Sequence, residues 1–321
     1  MINGYVLNEG RLNRLKEPMA PESRPIWLDL LNPLPHHSRD IDARFGIEVP
    51  TRELREEIEE SSRLYADGEA IYMTVSLPVR TELDLPLLVP VTFILTPEIL
   101  VTVHDYEPRA FQTFPQRAQR LDTGCRDSAT LLLALLDAVV DRLADILESV
   151  GREIEKLSRE VLHVIPGEKA HDYRLVLRQI GHHGEVVSHV LQSLVSVERM
   201  LVFLGPAASA RMATKEARAR LKSLGRDARH LTEHANFLAQ KISFLLDATL
   251  GMIGIEQNDT IKIFSVAAVV FLPPTLIASI YGMNFVDMPE LSWYFGYPFA
   301  LGLMICSAWL SYWIFKQRGW L

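Results

Sequence analysis

Two arrangements of residues in this chain could do chemistry. His230, Glu233 and His234 have the His-x-x-Glu-His spacing of one class of zinc proteases. Both histidines would share a helical face, as zinc ligation requires. No third ligand is evident, however, and the stretch lies in a long charged helical pattern, so solvated helix positions are expected instead. The second arrangement is Asn258, Ile261, Ser265, Ala268, Leu272, Thr275 and Ser279, spaced three or four apart and so on one helical face. That face is small or polar at several levels, with Leu272 as a bulky interruption. Such a stripe either lines a water-filled path or packs a neighbouring helix through small side chains; the sequence leaves both open.

The stripe sits in an apolar segment. Residues 263–281 and 291–315 are charge-free runs of 19 and 25 residues. At about 1.5 Å per residue, each is long enough to cross a hydrocarbon core of roughly 30 Å. Tyr281, Phe285, Trp293, Tyr294 and Tyr297 cluster at one end of the pair, and Tyr312, Trp313 and Trp320 at the other, as two interfacial belts. The loop 282–298 has Asp287 and Glu290 but no Lys or Arg, whereas Lys262, Lys316 and Arg318 flank the spans. The positive-inside rule therefore predicts both termini in the cytoplasm, in an inner or plasma membrane. No signal-like stretch is seen at residues 1–11.

Composition follows the same division. The 321 residues have a formal net charge of −7, and beyond Asn258 three basic and three acidic residues cancel. The whole acidic surplus thus lies in the first 258 residues. It argues against nucleic acid as a partner, which needs clustered Lys and Arg. Neither span contains an ionisable residue, which disfavours proton coupling. The absence of a Gly-x-x-x-x-Gly-Lys-Ser/Thr loop disfavours ATP hydrolysis. Cys125 and Cys306 are not expected to pair, and His182, His183 and His189 are expected at solvated helix positions.

Upstream, residues 1–125 read as an α/β or α+β domain. Strands are expected at 25–31, 89–95 and 99–104, the last two as a hairpin around Thr96-Pro97-Glu98, with a helix over 51–62 capped by Thr51. Residues 126–258 read as long helices: one ending at Pro166-Gly167, a second over 171–204 closed by Gly205-Pro206, and a third from near Ser209. If continuous to Tyr281, the third would rise roughly 100 Å. The expected spans are 259–281 and 293–315, joined by loop 282–292 and followed by a basic tail, 316–321. Pro273-Pro274 lies within the first span and removes two backbone donors there.

Tyr281-Gly282-Met283-Asn284, then Met288-Pro289-Glu290-Leu291, closely resembles the signature of the CorA-type magnesium transporter family. Residues 244–252 and 255–258 resemble the family's approach to the membrane, and the ending 315–321 its basic, aromatic terminus. The resemblance implies a funnel-shaped homopentamer whose first spans line a pore, not an enzyme and without an organic cofactor. It implies Mg²⁺ as cargo and cytoplasmic regulator, with Co²⁺ and Ni²⁺ as further cargo, and passive movement driven by the membrane potential. Gly282, Met283 and Asn284 would form the selectivity filter. Neutral amide oxygens there suit a hydrated ion that sheds water reluctantly; Asn284 is also a good helix C-cap. Asp287 and Glu290 would attract cations at the mouth. Ile261, Phe264 and Leu272 match the family's apolar constrictions, with Asn258 and Thr275 as polar levels. Asp247 matches a regulatory Mg²⁺ position, with Asp84 as its partner on the next subunit and Glu82 as the alternative. Two other readings remain: the family's zinc-transporting branch, which Met283 counts against, and a membrane-anchored helical scaffold without a pore.

Overall fold

A computed structural model of the chain describes residues 1–57, 59–83, 85–162, 172–208, 214–283 and 293–318. It divides into two compact units, Met1–Leu246 and Asp247–Leu321.

The first unit is built on a seven-stranded mixed sheet. Its strands are β1 (Ile2–Asn8), β2 (Arg11–Arg14), β3 (Trp27–Leu31), β4 (Leu64–Asp67), β5 (Ala70–Val79), β6 (Leu87–Leu95) and β7 (Leu100–His104). Their order is β2-β1-β3-β7-β6-β5-β4, with β3 and β7 parallel and every other pair antiparallel. The hairpin expected at Thr96-Pro97-Glu98 is present, with Leu95 opposite Leu100. Thr96 closes it by donating to, and accepting from, the backbone of Ile99 at 3.1 Å.

Alternation along the strands feeds two cores. Leu28, Leu30, Tyr72, Ile94, Val101 and Val103 point to one face and pack with Ile41 of α1 (Pro35–Phe45), Ile47 and Val49. The opposite face presents Trp27, Phe93 and His104 to Phe111 on α4 (Arg109–Arg120), and Trp27 also meets Phe114. Each large apolar side chain fully buried here contributes roughly 2–3 kcal/mol. This second core holds a polar chain. Trp27 Nε1 donates to Thr102 Oγ1 at 2.9 Å, Thr102 donates to Asp29 Oδ1 at 2.7 Å, and His104 Nε2 meets the same oxygen at 2.7 Å.

The helix expected over 51–62 is instead two short ones, α2 (Arg52–Glu56) and α3 (Glu60–Arg63). Thr51 caps the first, accepting from the Leu54 N–H. Glu57 then turns extended, at φ −58° and ψ 144°, and its carbonyl accepts from Arg63 Nε at 2.6 Å, which replaces the bond a continuous helix would make.

Three long helices complete the chain's first unit. They are α5 (Ser128–Leu162), α6 (Tyr173–Ala208) and the first part of α7 (Lys215–Tyr281). Helix α6 does not stop at Gly205-Pro206 as expected. Pro206 lies in its last turns, where the missing N–H affects only the carbonyl of Val202, on an exposed residue that water can reach. Lys241 of α7 pairs with Glu155 of α5, and Arg220 with the half-buried Asp137. His182, His183 and His189 are part-buried rather than solvated, with their Nδ1 atoms shielded, because α6 packs on β5 and α5. Burial and the neighbouring His182 hold the His183 imidazole below its usual pKa.

The second unit contains the rest of α7 and α8 (Gly296–Gln317). Helix α8 starts three residues later than the hydropathy suggests. The Gly296 N–H bonds to the Trp293 carbonyl at 2.9 Å in a turn, and Pro298 falls in the first helical turn, where no donor is needed. Lys316 lies in its last turn, favourable to the helix dipole.

Candidate ion pathway

Helix α7 passes through Pro273-Pro274 unbroken and continues to Tyr281. Proline lacks an N–H, so the carbonyls of Val269 and Val270 lose their donors four residues on. Next in sequence, Thr275 Oγ1 donates to the Phe271 carbonyl at 2.6 Å. With its hydrogen committed there, the exposed hydroxyl presents lone pairs outward.

In the apolar part of α7, Val266, Val270, Pro273, Ile277 and Tyr281 are less exposed at helical spacing, and Ser265 and Pro274 are half-buried as well. The less exposed residues of α8 include Ala300, Met304, Ser307, Ala308, Ser311 and Phe315. The two helices meet around a cavity lined by Ala278, Tyr281 and Gly282 of α7's end and by Gly296, Ala300 and Met304 of α8. At 3.6 residues per turn, the stripe from Asn258 to Ser279 points about 150° away from the line of Val266, Val270, Pro273, Ile277 and Tyr281. Asn258, Ile261, Ala268, Leu272, Thr275 and Ser279 are exposed, with Leu272 at 64%. Ser265, on the same face, is half-buried, so the small and polar face is mostly but not wholly exposed. Phe264 is exposed on its shoulder. Asp247, three turns before Asn258 and on the same side, is also exposed.

At the end of α7 the chain tightens. The Gly282 N–H bonds to the Ala278 carbonyl at 2.9 Å, and the Met283 N–H to the Ile280 carbonyl at 3.2 Å. A Cβ on Gly282 would stand 3.1 Å from the Ala278 oxygen, so the close approach favours glycine. Met283 is exposed. Asn284, Asp287, Glu290 and Asp84 lie outside the described residues.

Glu82, the alternative to Asp84, is already engaged. Its Oε1 accepts from Arg142 of α5 at 3.2 Å and from Arg109 of α4. Sequence reasoning missed this clamp because its partners lie 27 and 60 residues away. His230 and Glu233 are exposed, His230 Nδ1 standing 3.9 Å from Glu233, and His234 stacks on Phe237. Among the described residues, no group of three or more His, Cys, Asp or Glu is arranged to hold a metal. Cys125 is buried and Cys306 exposed, both as free thiols.

A mixed α/β unit and a very long helix, α7, whose apolar end and α8 are each long and apolar enough to cross a bilayer, define a helical membrane protein with a large polar unit. A third helix, α6, meets the same length and hydropathy criteria, but 44% of its apolar window is buried inside the first unit. The chain belongs to the CorA-like Mg²⁺ transporter family, whose model matches residues 22–317. It is 36% identical over 322 residues to the magnesium transport protein CorA of Pasteurella multocida, covering 100% of both chains. To the protein of the same name from Escherichia coli K12 it is 34% identical, again over 100% of both. Its fold is similar to the complete structure of the CorA magnesium transporter from Methanocaldococcus jannaschii, with TM-score 0.78, 22% identity, and 100% and 98% of the two chains covered.

Proposed function

We propose that this chain carries Mg²⁺ across an inner membrane, passively and driven by the membrane potential, with Co²⁺ and Ni²⁺ as further cargo. A divalent cation gains about 4.6 kcal/mol per 100 mV, which needs no other energy source. Two helices cannot enclose a water-filled path, so several copies must assemble; the family resemblance makes the conducting form a homopentamer whose α7 helices line it. Asn284 rings the outer mouth, held by the Gly282 turn, and Asp287 and Glu290 concentrate cations there. Ile261, Phe264 and Leu272 form apolar constrictions between the polar levels of Asn258 and Thr275. Both termini lie in the cytoplasm, where Asp247 and Asp84 of adjacent subunits bind Mg²⁺ and favour the closed state.

The observation that carries this reading is the mostly exposed small and polar stripe of α7, which leads to Gly282-Met283-Asn284 in the sequence. The test is ion flux into proteoliposomes holding the purified chain and a Mg²⁺-sensitive dye, under an inside-negative potential. Uptake is expected, and Asn284→Ala should abolish it while leaving assembly intact. A chain that moves no Mg²⁺, Co²⁺ or Ni²⁺ is not such a transporter. Flux of Zn²⁺ alone would assign it to the zinc branch.

A further inference from the structure

A cavity of about 490 Å³ opens in the first unit between α4 and the β1–β2 end of the sheet. The buried rings of Tyr5, on β1, and Phe111, on α4, form part of its lining. The volume is that of about sixteen waters at roughly 30 Å³ each, more than a free amino acid fills.

Opposite charges line this cavity without pairing. Arg14, exposed on the edge strand β2, donates from Nη2 to Asn3 Oδ1 at 2.6 Å. Glu107, half-buried just before α4, accepts at Oε2 from Gln112 Nε2 at 2.9 Å. Among the described residues neither forms an ion pair, so the guanidinium keeps further donors, and the carboxylate keeps Oε1, for a guest. The Met1 ammonium, also at the edge, is taken up by the Leu31 carbonyl at 2.8 Å. Both side-chain charges reach the Tyr5 phenol. Burial and Asp29 push its pKa up to about 12, Arg14 lowering it and Glu107 raising it, so the hydroxyl stays neutral beside them.

The aromatic rings are already engaged. Tyr5 stacks on Trp27 at 4.7 Å, and Phe111 meets Trp27, Phe93 and His104. A nucleobase finds no open ring to stack on. A guest of single charge satisfies one of the two side chains and meets the other as a like charge. A zwitterion satisfies both at once, its carboxylate accepting from the guanidinium and its ammonium donating to Glu107. Leu31 and Pro115, half-buried in the lining, offer an aliphatic side chain its contact.

We propose that this cavity binds a free α-amino acid as its zwitterion, with the carboxylate on Arg14, the ammonium on Glu107 and an aliphatic side chain against Leu31 and Pro115. The occupant bridges the edge strand β2 to the start of α4.

The test is scintillation-proximity binding of radiolabelled L-leucine to the full chain in detergent. It reads no ion flux, so its outcome is separate from that of the transport reading. Saturable binding of about one leucine per chain is expected, with a dissociation constant of about 0.1 mM or lower. Unlabelled 4-methylpentanoate, which lacks the ammonium, and L-leucinamide, which lacks the carboxylate, should each compete about tenfold more weakly than leucine, or worse. Arg14→Gln and Glu107→Gln should each weaken binding by about tenfold or more, with circular dichroism confirming the fold. The competition needs no variant and decides the matter if a variant fails to fold. Absence of saturable binding overturns the proposal. So does either analogue competing as well as leucine, or binding undiminished in a folded Arg14→Gln or Glu107→Gln chain.

Discussion

Arg142 of α5 donates to Glu82 Oε1 at 3.2 Å, the same oxygen that Arg109 of α4 engages. A carboxylate oxygen held between two guanidiniums is a poor ligand for Mg²⁺, since the ion would have to displace both cations or approach against their charge. The clamp is exposed, so each pair contributes little to stability. Its effect is to occupy the Glu82 carboxylate with two cations, which weakens its case as a partner for Asp247.

Internal Mg²⁺ should therefore act through Asp247 and not through Glu82. Flux in proteoliposomes loaded with graded internal Mg²⁺ should be half-inhibited within about twofold of the parent value in Glu82→Gln, as for a surface ion pair. Asp247→Asn should shift that point upward by about tenfold or more. The reverse order would reassign the site.

Leu272 is exposed on the small and polar face of α7. Leu272→Ala should leave the hairpin intact and, by widening an apolar constriction, raise ion flux at high internal Mg²⁺. Unchanged flux would show that the constriction lies elsewhere. Gly282→Ala must push its Cβ against the Ala278 carbonyl and should lower flux and assembly together, visible as monomer on size-exclusion chromatography.

The buried chain in the first unit should be brittle. Asp29 Oδ1 accepts from both Thr102 and His104, and Asp29 is 2% exposed. Asp29→Ala strands both partners and should cost about 3–5 kcal/mol by denaturant unfolding. Trp27→Phe keeps most of the packing but leaves Thr102 without its indole donor, and should cost about 1–3 kcal/mol.

Acid should weaken the first unit partly through His183. Burial and His182 lower its folded pKa, so below the ordinary histidine range the unfolded chain binds a proton that the folded chain resists. Stability from this group is present at neutral pH and lost as pH falls through the folded value. The difference in thermal midpoint between pH 7 and pH 5 should be smaller in His183→Gln than in the parent.

Much of this was legible in the sequence where one local rule decides. The hairpin at Thr96 follows from turn residues between β-branched runs, and the length of α7 from a long stretch without proline. The apolar pair follows from charge-free length. What depends on distant partners was not legible. Strands β1, β2, β4 and β5 are mixed in polarity or interrupted, and only the sheet shows their pairing. The helix over 51–62 breaks because Arg63 reaches back to the Glu57 carbonyl. The α6 histidines read as solvated because nothing local marks the side that packs on β5. The sequence also left open whether the small and polar stripe packs a helix. The structure leaves that stripe mostly exposed, with Ser265 half-buried, and does not decide between that and a water-filled path.

Pro273-Pro274 has one further consequence. A single copy of this helix surrounded by lipid would hold the carbonyls of Val269 and Val270 in hydrocarbon without amide donors, at several kcal/mol for each unmet group. The prolines thus make solitude in the bilayer expensive. Whatever hydrates or covers that stretch of backbone, be it water in a shared pore or a second copy of the chain, recovers that energy, so the incentive to assemble is written into the main chain as well as the side chains.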